Sequence, residues 1–311
     1  MHGLADSATN SMDLEAAWRW CKDIEIDTRV LVGLGAMAGG LVVWRAVKGR
    51  TSAERPLLTK NYEHNKVYVY SFPGNPKKCG VVHFSPFTLK VETWLRMNNI
   101  KYELIVTQQM STKKQWPWIE LNGKEYSDSN FIIKKLADHF HSDIDGKLTS
   151  EQLAVSFAFK EMMEVSFAFT YAFYRYYVAA DVFWSMFSHI VPAPMSYLPA
   201  CINIYMMKKY AFKTFWMAGI ARHSKDEYRM IVSDQIHAIS NFLGTKKFLM
   251  GDNPTSVDAW MFCHLSQVVY VPLDHPHREI ISKECPNVQE YTNRVRDTFW
   301  PDWNTLFTKA N

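Results

Sequence analysis

HFSPFTLKVETWLRM, residues 83 to 97, decides how the rest of the chain is read. Ser85 precedes Pro86, and apolar residues then recur at Phe87, Val91, Trp94, Leu95 and Met97 with the spacing of one helical face. Serine accepts from the free amides of a first helical turn, and proline brings no amide that would need a partner there. The pattern predicts a helix over 86–98, stopped at Asn98-Asn99. Upstream, residues 66–72 (KVYVYSF) alternate as a strand, and a loop rich in Pro and Gly joins the two. Two readings of Ser85 stand side by side. It is either a helix cap worth about 1 kcal/mol, or a ligand-facing hydroxyl that stabilises a bound thiolate by donating a hydrogen bond.

Downstream, 101–107 (KYELIVT) reads as a second strand and Trp116-Pro117-Trp118-Ile119-Glu120-Leu121 leads into a third. Asn122-Gly123 is a tight hairpin signal, residues 124–127 close the hairpin, and Asp128-Ser129 opens a helix with apolar residues at Phe131, Ile132, Leu136 and Phe140. The order over 66–141 is strand, helix, three strands, helix, as in a thioredoxin-like domain. From about 150 the pattern changes to long helices. Residues 151–183 are apolar and aromatic almost throughout, which predicts one or two buried helices. A turn at Val191-Pro192-Ala193-Pro194 precedes helices expected at 199–218, 224–243, 255–270 and 287–299. Thr255 with Asp258 makes a helix cap at the start of the third of these, important for folding rather than chemistry. The fold class expected is α+β, with a thioredoxin-like domain over 66–141 and an all-α domain over 150–303.

Charge and cysteine usage bound the function. The formal net charge is only +4 in 311 residues, 48 % of them apolar, so nucleic acid is not an expected partner. The five cysteines are odd in number and widely spaced, which favours reduced thiols facing the cytosol. Cys79 follows Lys77 and Lys78, a setting that favours its thiolate, although a bystander thiol is the plainer reading. Neither His139/His141 nor His275/His277 has partners at metal-ligand spacing, so no metal is expected.

Ahead of the folded part come a polar tail (1–28), an apolar segment (29–47) and a linker (48–65). Residues 30–44 (VLVGLGAMAGGLVVW) carry no charge, and as a helix they cover about 22 Å, which snorkelling of Arg29 and Arg45 extends towards a span. Four glycines in fifteen residues make a poor soluble helix, and Gly35 and Gly39 permit close helix contact in lipid. A single-pass membrane anchor is expected. The basic residues Arg45, Lys48, Arg50, Arg55 and Lys60 lie downstream, so the main domain is expected in the cytosol.

Three signatures belong at one groove of such a fold. Ser85-Pro86-Phe87 opens the first helix, Trp116-Pro117 precedes a strand, where a cis peptide would free the Trp116 backbone for an extended peptide, and Asp128-Ser129 sits at a helix start. Together they suit a small acidic peptide. At this point the chain resembles the failed-axon-connections family, a metaxin-like branch of the glutathione transferase superfamily that includes cadmium-inducible lysosomal membrane proteins. The resemblance covers about 66–303 and rests on SPFTLKVETWLRMNNIKYE, WPWIELNG, FLMGDNPTSVDAWMF and the terminal FWPDW.

The resemblance implies glutathione as ligand, held at Ser85, Trp116, Pro117, Asp128 and Ser129, with Ser85 as the catalytic candidate. It also implies protein partners, a homodimer, a lysosomal or outer mitochondrial membrane, and a role in stress or cadmium response or in axon development. Two departures bear on catalysis. Thr88 stands where the family's helix start often offers a thiol, and Gln108 to Gln115 is short for the helix that usually contributes glutathione contacts. The function expected is a non-catalytic adaptor on a membrane. The alternative is a glutathione-dependent enzyme acting on electrophiles, with Ser85 stabilising the thiolate.

Overall fold

The computed structural model describes residues 56–188, 191 and 195–309, with the side chains of 308 and 309 left aside. The expected membrane segment 30–44, the polar tail, the first part of the linker and most of the turn at Val191–Pro194 lie outside the described residues. Among the described residues no helix is long and apolar enough to cross a membrane.

The first half is a four-stranded sheet. Strands β1 (Val67–Ser71), β2 (Tyr102–Val106), β3 (Trp118–Leu121) and β4 (Lys124–Ser127) lie in the order β2-β1-β3-β4. β1 and β2 are parallel, because helix α2 (Pro86–Met97) crosses over between them; the short helix α1 (Pro76–Cys79) precedes it. β3 runs antiparallel to both β1 and β4. Asn122 and Gly123 both take positive φ, 49° and 77°, the geometry a two-residue hairpin needs. Helix α3 (Ser129–Phe140) follows. Alternation along the strands divides the side chains between two faces. Val67, Val69, Ile119 and Leu121 pack with Trp94, Leu95, Ile132 and Leu136 of α2 and α3. On the other face Tyr70 stacks on Trp118 at 3.9 Å, and Glu120 accepts from the amides of Leu58 and Thr59 at 2.7 and 3.0 Å. The end of the linker is thereby strapped across the sheet.

The second half is helical. α4 (Ser150–Glu161) starts at a capping box of Thr149 and Gln152 and continues through a π-helical turn (Met162–Phe167), α5 (Ala168–Phe173), a second π turn (Tyr174–Val178) and α6 (Ala180–Phe187). Then come α7 (Ala200–Met217), α8 (Lys225–Leu243), α9 (Ser256–Val269), α10 (Pro276–Lys283), α11 (Pro286–Phe299) and α12 (Trp303–Lys309). All fourteen residues of α9 are buried, so it is the axis of the molecule. The expectation of buried helices over 151–183 needs correction. α4 buries only Ser156, and Phe157 and Val165 are 63 % and 53 % exposed, because an apolar run on one helix does not by itself supply a covering partner.

The two halves are locked by specific polar contacts. Trp94 Nε1 donates to Ser256 Oγ at 3.0 Å and Trp300 Nε1 to Thr93 Oγ1 at 3.1 Å. Arg96 makes a two-pronged bond to Asp302, at 2.6 and 3.0 Å, with its guanidinium 3.8 Å from the Trp300 ring centroid. The terminal FWPDW motif is therefore an interdomain clasp.

Candidate functional site

The sheet register brings the three signatures to one end. Tyr70 of β1 pairs with Trp118 of β3, and Trp118 with Ser127 of β4. The exits of β1 and β4 and the entry of β3 therefore share one edge. From it Ser71 leads towards α2, Pro117 enters β3, and Asp128-Ser129 begins α3.

Ser85 is the N-cap of α2. Its backbone is extended and its Oγ accepts from the Thr88 amide at 3.3 Å. Thr88 is fully buried and its hydroxyl lies 2.8 Å from Ser71 Oγ, so the position where a thiol would stand is turned onto the sheet. The Trp116–Pro117 peptide is cis, and the sheet ladder begins only at Trp118, which leaves the Trp116 backbone outside it. The Trp116 ring meets Phe72 edge-on at 5.8 Å, and its buried Nε1 has no hydrogen-bond partner among the described residues.

Asp128 caps α3 from a positive φ of 74°, its Oδ1 accepting from the amides of Asn130 at 3.0 Å and Phe131 at 3.4 Å. Two of the amides that could hold a ligand carboxylate are thus already taken by the chain's own carboxylate. Ser129 is buried beside them, and no helix occupies Gln108 to Gln115, where Ser111 and Gln115 close a small turn.

Behind this corner sits a polar knot that the sequence does not announce. Lys90, on the second turn of α2, is fully buried and gives Nζ to Asn130 Oδ1 at 2.7 Å and to Glu164 Oε1; Asn130 Nδ2 donates to Glu164 Oε2 at 2.7 Å. A lysine flanked by Leu89 and Val91 gives no sequence signal of its partners. A second chain of contacts fixes the entry loop. Gln267 of α9 donates to the His83 carbonyl at 3.1 Å and accepts from Arg175 at 3.0 Å. The buried Arg175 guanidinium, with no carboxylate bonded to it among the described residues, lies 4.9 Å from the Tyr171 ring centroid and 5.7 Å from that of Phe84.

The remaining sequence candidates fall elsewhere. Thr255 caps α9, and Asp258 answers from the first turn, accepting from the Thr255 amide at 2.8 Å and hydroxyl at 3.1 Å. Cys79 is 3 % exposed and burial pushes its thiol up, so the neighbouring lysines do not produce a thiolate. His275 caps α10 through Nδ1, and His277 is buried against Thr170 at 2.8 Å. Among the described residues no group of three metal-ligating side chains forms.

Comparison with known proteins now has a geometry to attach to. A model of the glutathione S-transferase N-terminal domain matches residues 86–182, and one of the C-terminal domain matches 232–295. Failed axon connections of Drosophila melanogaster is 33 % identical over 279 residues, which cover 84 % of this chain and 66 % of that protein. Isoprene-epoxide–glutathione S-transferase of Rhodococcus is 25 % identical over 71 % of this chain and 94 % of its own length. Metaxin-2 of Mus musculus is 21 % identical over 70 % of this chain and 82 % of its own. A solved glutathione transferase of Phanerochaete chrysosporium aligns with a TM-score of 0.52 at 14 % identity, over 75 % of this chain and 98 % of that one, which shows the fold. With both transferase domains matched in order and a third of the aligned residues shared with the fly protein, the chain belongs to the branch of the glutathione transferase superfamily that holds failed axon connections and the metaxins.

Proposed function

We propose that this chain is a binding protein on a transferase fold, a non-catalytic adaptor held by residues 30–44 on a lysosomal or outer mitochondrial membrane with its folded part in the cytosol. The observation that carries the reading is Thr88. It stands buried where a thiol would act, and its hydroxyl is spent on Ser71, while Ser85 serves as the cap of the same helix. The self-capped start of α3 supports the same reading, since Asp128 already supplies the negative charge. Protein partners or a second copy of the chain would cover apolar surface such as Phe131 of α3, which is 63 % exposed. The fly relative's name suggests axon development as the setting, and the family suggests stress or cadmium response.

Calorimetry on the full chain in detergent tests the reading. Glutathione up to millimolar concentration is expected to give no saturable heat, and conjugation of a chlorodinitrobenzene electrophile to stay at background in wild type and Ser85→Ala alike. Saturable binding, with turnover that Ser85→Ala removes, would overturn the adaptor reading. It would establish the second one, a glutathione-dependent transferase of the kind the Rhodococcus relative's name describes.

A further inference from the structure

We infer that α7 and residues 195–199 just before it form a second membrane contact, one that rests on the surface of an anionic bilayer independently of residues 30–44. The sequence from 182 to 225 contains no Asp or Glu, yet carries Lys208, Lys209, Lys213, Arg222 and Lys225. α7 buries only Asn203, Ala211 and Phe215 of its eighteen residues. At helical spacing its outer face presents Tyr205 (57 % exposed), Met206 (48 %), Tyr210 (75 %), Trp216 (47 %) and Met217 (73 %). Lys209 and Lys213, both exposed, lie four residues apart along the middle of that face. Just before the helix, Tyr197 is 82 % exposed. An apolar cavity of about 560 Å³ opens under the same helix between α6 and α7, with Met206 and Tyr210 both exposed and part of its lining.

Charge decides the occupant. Tyrosine and tryptophan settle at the headgroup level of a bilayer, where lysines on their apolar stems reach the phosphates. An interfacial helix of this kind gains from both its buried apolar area and its cations. A second copy of the chain would bring an identical face. In a two-fold contact this lysine-bearing face would meet the same lysine-bearing face, with no carboxylate between 182 and 225 to offset the charge. Protein interfaces in general are depleted in lysine. An anionic lipid surface satisfies the lysines and the aromatic rim together, and the cavity beneath can receive an acyl chain.

The test uses the full chain on vesicles whose acyl chains are brominated and quench nearby tryptophan, made of phosphatidylcholine alone or with phosphatidylserine. Substituting Trp216→Phe is expected to remove a measurable share of the quenching on the phosphatidylserine vesicles, whatever the other tryptophans contribute. Each lysine near an anionic surface is worth about fivefold in binding, so Lys209→Gln with Lys213→Gln should weaken the docking behind that share about 25-fold. Both lysines are exposed, and an unchanged urea midpoint confirms that the variants fold. Quenching that Trp216→Phe leaves unaltered on both vesicles overturns the proposal. So does a Trp216-dependent share of equal size without phosphatidylserine. Conversion of a dimer to a monomer by Met217→Glu in sedimentation would also overturn it and assign the face to a second copy.

Discussion

Asp258 shows how a single residue can hold a fold while taking no part in chemistry. Its carboxylate accepts from the Leu249 amide at 2.9 Å, the Thr255 amide at 2.8 Å, the Thr255 hydroxyl at 3.1 Å and the Tyr291 hydroxyl at 2.5 Å. Burial pushes its pKa up while those donors pull it down. Asp258→Ala would strand four buried donors, each costing roughly 1–3 kcal/mol when unsatisfied. The expected loss from urea unfolding is at least about 3 kcal/mol, and Asp258→Asn should recover part of it, because one amide oxygen still accepts. A loss under about 1 kcal/mol for the alanine variant would mean that the donors find other partners. Ser85 presents the opposite case. As a cap it contributes through one long, buried hydrogen bond, so Ser85→Ala should lower stability by about 1 kcal/mol in the same assay and leave the fold intact.

At the scale of elements, what the sequence made readable was local. The caps at Ser85, Asp128 and Thr255, the Asn122-Gly123 hairpin and the alternation of β1 all act within four residues, and each element lies where those signals put it. The short helices α1, α10 and α12 went unread because eight residues or fewer give too little periodicity to detect. The two π turns within 162–178 leave no trace either, since an aromatic run without polar breaks fits several helical periods at once. The site was legible in its three corners but not in the Lys90 knot behind them, whose partners are 40 and 74 residues away. That knot joins α2, α3 and the first π turn across the domain boundary. Lys90→Met alone should cost about 3–5 kcal/mol, because it leaves Glu164 largely buried without its cation. Adding Glu164→Leu should return a large part of that loss. Additive losses in the double variant would show that the pair is not coupled, and the knot would then count as packing alone.

Over the whole molecule, the interface between the two halves joins residues far apart in the chain. The Arg96–Asp302 bond spans 206 positions, which is why FWPDW is visible as a motif while its clasp is not. The same long-range packing encloses three histidines, His264, His275 and His277, which are 0–4 % exposed. Burial is the leading cause in each case, and it pushes His264 and His275 down to about 3 and His277 well below its ordinary value. In the unfolded chain an imidazole titrates near pH 6.5. Between that pH and about 3 the unfolded state therefore takes up protons that the folded state refuses. Stability from these groups is complete at neutral pH and is lost as the pH falls below about 6.5. Each histidine contributes up to about 1.4 kcal/mol per pH unit, so the fall from pH 7 to pH 5 approaches about 6 kcal/mol as a ceiling for the three. Urea midpoints measured at pH 7, 6 and 5 should drop steadily. His264→Gln, which can keep the hydrogen bond to the Tyr171 hydroxyl now made at 2.9 Å, should remove about a third of the slope. A midpoint that stays level from pH 7 to pH 5 would show that these histidines take up protons in the folded protein as readily as in the unfolded one. An acidic compartment would destabilise this fold through its core and a neutral one would not, so the drop from pH 7 to pH 5 measures how far the buried imidazoles tie the fold to neutral surroundings.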